Sequence, residues 1–399
     1  MIHIARHLWR VRDTKTRHKW RAICWATMDF ATTITILIVF GGLQGLAGFL
    51  VYVERKICAF MQNRVGPNRV GPIGLLQVLA DGLKFIMKEE FVPKYADKVL
   101  FIVAPAIGMV AAMLSFAVVP FGPTDDNMQN YQFVVAKNID IGILFIFAVS
   151  SLTVYAIILG GWASNNKYSL LGGLRSSAQI ISYEIPLGLS VVGVVLICGS
   201  LNLEKIIWHQ ATNSWNILWQ PLAFLLFMVS AFAECNRLPF DLPETEQELV
   251  GGYHTEYNAM KLAFFFVGEY THMITTSFLM VILFFGGWHL PWLADTTSPA
   301  VLKLVAFMVK MSLFILFYML VRWTIPRFRF DQLMALAWKV FIPMALANLV
   351  AVMVVKEFGL PLWILTGVSL AIVFAAGLIV TKPRVPVGKA LAAKYPVHV

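Results

Sequence analysis

Residues 217–235 read I-L-W-Q-P-L-A-F-L-L-F-M-V-S-A-F-A-E-C, and residues 262–287 read L-A-F-F-F-V-G-E-Y-T-H-M-I-T-T-S-F-L-M-V-I-L-F-F-G-G. Crossing the ~30 Å apolar core of a bilayer takes roughly 20 such residues in a helix. Neither run alternates as a half-buried strand does, so both read as membrane helices. The segment between them, 233–261, is different: A-E-C-N-R-L-P-F-D-L-P-E-T-E-Q-E-L-V-G-G-Y-H-T-E-Y-N-A-M-K. Six acids (Glu234, Asp241, Glu244, Glu246, Glu248, Glu256) crowd it, with Arg237 the only Arg or Lys among them. They are more than a quarter of the 22 acidic residues in a chain of net charge +10. A simple connection has no need of a cluster that repels itself, and burial would raise its carboxylate pKa values. Closely spaced acids beside a membrane suit a proton path or a gated ion site. A solvated acidic loop is the alternative.

The rest of the chain has the same apolar character. It is 59% hydrophobic and only 14% charged, with a mean hydropathy of +0.73, where soluble domains carry about 25% charged residues. Nine runs are long enough to span: roughly 29–53, 99–121, 140–162, 179–200, 217–235, 262–287, 302–325, 337–355 and 360–381. The fold class is therefore an all-α polytopic membrane protein, with one transmembrane domain over 29–381. A basic N-terminal extension (1–28) precedes it and a basic tail (382–399) follows. The first run continues into Glu54-Arg55-Lys56 without a small-residue cleavage site, so it is not a cleaved signal peptide. Cys24, Cys58, Cys198 and Cys235 are scattered and form no iron–sulfur or zinc motif. No pair of histidines is spaced to hold a haem. Nothing in the chain suggests nucleic-acid binding.

Lys and Arg set the orientation. Eight fall in the first loop, 54–98, and the same side gains Lys167, Arg175, Arg237, Lys261, Arg322, Arg327, Arg329 and four tail residues, nineteen in all. The loops of the opposite side hold only Lys137, Lys205, Lys303 and Lys356. The first loop, the acidic loop (234–261) and the tail are thus expected to face the cytoplasm. Nine spans then leave the N-terminus outside, against the seven basic residues of 1–21. Either that tail is translocated or translation starts at Met28, directly before the first span. The second is the expectation.

Within the first loop, R-V-G-P-N-R-V-G-P (64–72) uses a Gly-Pro turn twice. Downstream, Gln77, Asp81, Lys84 and Lys88 recur at helical spacing on one face, while Leu76, Leu79, Leu83 and Ile86 take others. The pattern predicts an amphipathic helix in the membrane interface, with a solvated surface helix as the alternative. Among the spans, Glu184 and Glu269 stand out. A charge at the bilayer centre costs about 2.5–3.5 kcal/mol on insertion scales, so both should face the bundle interior. Pro186 frees backbone carbonyls near Glu184, and His272, three residues after Glu269, shares its helix face. Lys310 reads as a counter-charge or as a lysine snorkelling to the surface.

These motifs together resemble a known family. E-R-K (54–56), R-V-G-P-N-R-V-G-P (64–72), A-D-G-L-K (80–84), K-E (88–89), S-Y-E-I-P-L (182–187), A-E-C-N-R-L-P-F-D-L-P-E (233–244), E-L-V (248–250), E-Y (256–257), G-E-Y (268–270) and R-W-T-I-P-R-F-R-F-D-Q (322–332) resemble the membrane subunit of respiratory complex I at its hydrophilic-arm junction. The family has bacterial and mitochondrial members. The match covers about residues 29–350. The N-terminal tail and the ninth span are extra to the commoner eight-helix form.

The resemblance implies a proton-pumping NADH:quinone oxidoreductase in the bacterial cytoplasmic (inner) membrane. This chain would carry no flavin, haem, iron–sulfur cluster or other metal and no redox centre of its own. Its substrate-side ligand would be a quinone, ubiquinone or menaquinone. Its partners would be the quinone-proximal hydrophilic subunits, the neighbouring small membrane subunits and lipid. It assigns Glu54, Arg55, Arg64, Asp81, Lys84, Arg237, Phe240, Asp241, Arg322, Arg327 and Arg329 to the quinone chamber. Glu184, Glu234, Glu244, Glu246, Glu248, Glu256 and Glu269 go to a proton path. The chemistry agrees: quinone reduction takes up two electrons and two protons, so arginines offset the charge and carboxylates follow it. Two other readings remain open at this point, the membrane subunit of a proton-pumping hydrogenase and a stand-alone ion-coupled transporter. The latter should show internal repeats with paired broken helices, and no convincing pair is present.

Overall fold

The computed structural model describes residues 30–122, 135–136, 139–241, 250–291 and 299–380. Helices dominate, with no strand among the described residues. In chain order they are α1 (Phe30–Met61), α2 (Gln77–Met87), α3 (Lys98–Leu114), α4 (Gly142–Ala163), α5 (Lys167–Cys198) and α6 (Leu203–Thr212). They continue as α7 (Pro221–Glu234), α8 (Ala259–Phe284), α9 (Ala300–Thr324), α10 (Phe330–Glu357) and α11 (Trp363–Val380). Seven are long and apolar enough to cross a membrane, and α7 and α11 are shorter apolar helices. Each of the nine expected spans coincides with one of these.

Two boundaries differ most from the sequence reading. α1 runs on to Met61, so Glu54, Arg55 and Lys56 ride its last turns instead of opening the loop. α5 starts at Lys167 rather than near 179, with the Asn166 side chain accepting from the Tyr168 N–H at 3.0 Å as an N-cap. Hydropathy marks where a helix leaves lipid. Glu, Arg and Lys are good helix formers and carry it further.

α8 forms the centre of the bundle. Every residue from Thr271 to Phe284 is buried, as expected of a helix enclosed on all sides. Its hydroxyls are satisfied along the helix: Thr271 donates to the Val267 carbonyl at 2.7 Å, Thr275 to Thr271 at 3.0 Å and Ser277 to Met273 at 2.7 Å. Lys310 of α9 resolves its two readings at the C-terminal end of α8. Its Nζ donates to the carbonyls of Phe285 (2.7 Å), Gly287 (3.1 Å) and His289 (2.6 Å), where the helix dipole favours a cation. α5 packs on the loop that precedes α8. A side-chain carbon at Gly172 would come within 2.5 Å of the Gly252 Cα, and Ser169 Oγ donates to the Tyr253 carbonyl at 2.9 Å.

In the first loop, Gly74 (φ 84°) turns the chain so tightly that a Cβ there would sit 2.2 Å from the Pro67 carbonyl oxygen. The Tyr52 hydroxyl anchors this turn through the Ile73 carbonyl at 2.8 Å. α2 follows, with Leu79, Leu83 and Ile86 each more than half exposed. Its polar side faces the protein, where Asp81 pairs with Arg55 of α1 at 2.5 Å. An apolar face turned outward is what an interfacial helix requires. Lys88 leaves the expected stripe, because it follows the last helical residue with extended backbone.

Candidate functional site

Glu54 is 7% exposed and lies where α1, α8 and α9 meet the loop after α7. Arg322, near the end of α9, makes a close ion pair with its Oε1 through Nη1. Arg237 Nη1 lies 3.4 Å from the same oxygen. The Tyr270 hydroxyl donates to Oε2 at 2.7 Å. The Arg237 guanidinium also sits over the Tyr270 ring, 4.2 Å from its centroid, a favourable cation–π geometry. Burial opposes the charge on Arg237, yet Glu54, Tyr270 and Glu269 outweigh it and hold its pKa above the ordinary arginine value. With two guanidiniums around one carboxylate, the cluster is net positive.

This cluster forms one wall of a cavity of about 640 Å³, which Arg55 and Asp81 also line. Most of the remaining lining is apolar: Val51, Val78, Phe85, Ile86, Met109, Phe264, Val267 and Trp323. The volume is in the range of organic-ligand pockets, which are largely apolar with a few placed polar groups.

A second cavity, about 50 Å³, lies on the other side of α8 and is lined by Glu234, Glu269, His272, Asn236 and Tyr253 among apolar groups. Its size admits a few water molecules. The Tyr253 hydroxyl donates to Glu269 Oε1 at 3.1 Å. His272 Nε2 lies 3.1 Å from Glu234 Oε1, a contact whose angles are not those of an aligned hydrogen bond. Glu184, from α5, is within Coulombic reach of both Glu234 and His272. Met109 and Phe264 line both cavities, so a single layer of side chains separates them. Glu269 and Tyr270 are neighbours in sequence, yet 3.6 residues per turn directs them to opposite cavities.

The comparisons with known proteins bear on the whole arrangement. The family model described as NADH dehydrogenase matches residues 33–353. The chain belongs to the NADH dehydrogenase family. Its relatives include the H 1 subunit of the NADH-quinone oxidoreductase of Cytophaga hutchinsonii, 49% identical over 80% of this chain and 94% of the relative. The H subunit of the same enzyme in Flavobacterium psychrophilum is 47% identical over 79% of this chain and 94% of its own length. The H 1 subunit of Geobacter metallireducens is 48% identical over 79% and 93%.

The residues that family resemblance assigned to a chamber fall into three groups in this NADH dehydrogenase family member. Glu54, Arg55, Asp81, Arg237 and Arg322 line the large cavity. Asp241 and Arg327 pair at 3.5 Å, beside Phe240 stacked on Phe328 at 5.6 Å. Arg64, Lys84 and Arg329 stand apart from both. Arg64 bonds Gln62 at 2.8 Å, Lys84 lies over the Phe85 ring at 5.2 Å, and exposed Arg329 pairs with Asp331 at 3.5 Å. Of the path residues, Glu234 and Glu269 share the small cavity and Glu184 adjoins it, while Glu256 accepts from Asn166 Nδ2 at 2.6 Å near the surface. Glu244, Glu246 and Glu248 lie outside the described residues, as do residues 1–28 and the tail.

Sequence reading left three contributors out of both sets. Tyr270 bonds Glu54 and Tyr253 bonds Glu269; Tyr270 directly follows Glu269 and Tyr253 follows two glycines, and neither position gave a sign of its partner. Gln179 of α5 donates to the carbonyls of Ala233 and Phe240, both at 2.8 Å, and so ties together the two ends of the segment bearing Arg237.

Proposed function

We propose that the chain is the membrane subunit of a proton-pumping NADH:quinone oxidoreductase, with the 640 Å³ cavity receiving the quinone and the second cavity beginning a proton path. The observation that carries this reading is the net-positive Glu54–Arg237–Arg322 cluster in the wall of a mainly apolar cavity. An apolar ring and isoprenoid chain fit such a lining. Negative charge that develops on the ring oxygens as electrons arrive is stabilised by prearranged cations. The relatives' names support quinone and NADH over the hydrogenase and transporter alternatives.

In this reading electrons reach the quinone from a partner subunit. This chain's residues bind the quinone, exclude water and supply charge and protons. Glu54 stays paired with both arginines, and the Tyr270 hydroxyl stays on its second carboxylate oxygen. In purified native complex, a photoreactive quinone analogue is expected to label peptides from α1, α2 and α8 in competition with quinone. Labelling confined to other subunits would remove the chamber from this chain.

The basic end faces the cytoplasm in this reading, supported by nineteen Lys and Arg residues against four, and the membrane is the bacterial inner membrane. In a cysteine-free background, Asn68→Cys is expected to resist an impermeant thiol reagent added from outside, while Asn127→Cys reacts. The opposite pattern would invert the orientation.

A further inference from the structure

We infer that His272 is a proton carrier joining Glu234 to Glu269, a step that rests on the proton-path reading above and extends it. The other polar side chains on this stretch of α8 have local explanations. Thr271, Thr275, Thr276 and Ser277 all bond back to carbonyls of their own helix. His272 does not. It is 5% exposed, and Nδ1 has no hydrogen-bond partner among the described residues. Nε2 meets the Glu234 carboxylate at 3.1 Å. A core histidine held for packing would have both nitrogens fixed by donors and acceptors.

The surroundings supply the other half of a relay. His272 and Glu269 line the same small cavity with Glu234, and its volume accommodates bridging water. The titratable or charged groups around the imidazole are Glu234 of α7 with Cys235 just after it, Glu184 from α5, Glu269 on α8 itself and Tyr253 from the preceding loop. Arg237 acts from further away, through Glu269. Imidazole suits this position because it takes a proton on one nitrogen and releases one from the other near neutral pH. The carboxylic acid of Glu234 gives its proton to Nε2, and the Nδ1 proton leaves through cavity water to the Glu269 carboxylate. One proton enters and one leaves. Glu234 ends ionised, Glu269 ends protonated, and the neutral ring has exchanged tautomers. Rotation of the ring, or a proton passing the other way, restores it.

The test uses membrane vesicles containing assembled complex, with NADH oxidation by a hydrophilic acceptor as the control for assembly. His272→Asn keeps hydrogen bonding but carries no titratable proton. It is expected to lower NADH-driven proton translocation about a hundredfold, the low end for a positioned proton carrier. It should also change the pH profile of the rate, since the imidazole is lost from the path. His272→Ala opens space for added imidazole, which should restore part of the turnover in that variant and none in His272→Asn. His272→Gln replaces the Asn variant if the latter does not assemble. Wild-type pumping and pH profile in the amide variant, or no response of His272→Ala to imidazole, would overturn the inference. Glu234→Gln, measured in parallel, separates the role of His272 from that of the path as a whole. If it is impaired while the His272 amide variant is normal, only the role of His272 is lost. If both are normal, the path itself is wrong here.

Discussion

Replacing Glu54 with Gln is expected to reduce NADH-driven quinone reduction at least about a hundredfold in assembled complex, while NADH oxidation by a hydrophilic acceptor persists. Glu54 pairs with Arg237 and Arg322 at once and accepts from Tyr270. Removing one partner of a buried charge cluster costs roughly 3–5 kcal/mol, and each 1.4 kcal/mol is about tenfold. The amide preserves volume and deprives two guanidiniums of their shared carboxylate, so the loss is electrostatic rather than steric. Arg322→Lys should fall between wild type and Glu54→Gln, since it keeps the charge but loses the fork geometry. Equal loss of both activities on a background of normal assembly would show that the cluster acts on the whole complex and has no local role at the quinone.

A second large effect is expected at Glu269. Glu269→Gln retains size and can still accept from Tyr253, but it holds no exchangeable acid proton. Coupled turnover should fall about a hundredfold, within the range that positioned proton donors supply. Glu269→Asp should be milder, because the carboxyl survives and only retracts by one methylene. Glu184→Gln is expected to follow the same ordering, as the acid nearest the small cavity on α5. Wild-type proton-to-electron ratios in assembled Glu269→Gln would take the path away from this residue and leave the acidic segment a docking or structural role.

The sequence exposed the nine apolar runs because each is a one-dimensional signal, and every one coincides with a helix. It did not expose the ends of α1 and α5, since polar residues continue a helix without announcing it. The large cavity was partly legible through motifs: Glu54, Asp81, Arg237 and Arg322 all came from quoted stretches. Their grouping was not legible. Glu54 and Arg322 are 268 positions apart, and no local spacing encodes such a contact. Lys84 illustrates the converse, a charged residue inside a strong motif that lies over the Phe85 ring and is not part of the cavity lining. His272 was visible as a neighbour of Glu269 by helical spacing, but its contact with Glu234 depends on how α7 packs on α8.

The length of α5 has a consequence for lipid. Its 32 residues extend about 48 Å at 1.5 Å per residue, against a hydrocarbon thickness of ~30 Å. The surplus is gripped by protein, through Ser169 on the Tyr253 carbonyl and Gly172 against Gly252. Hydrophobic mismatch normally tilts or shifts a helix until its apolar stretch matches the bilayer. Here that freedom is removed, because sliding α5 would tear it from its footing on the loop. The depth of Glu184 relative to Glu234 and His272 is therefore a property of the protein alone. A change in lipid chain length deforms the surrounding membrane and leaves the spacing of these groups unchanged.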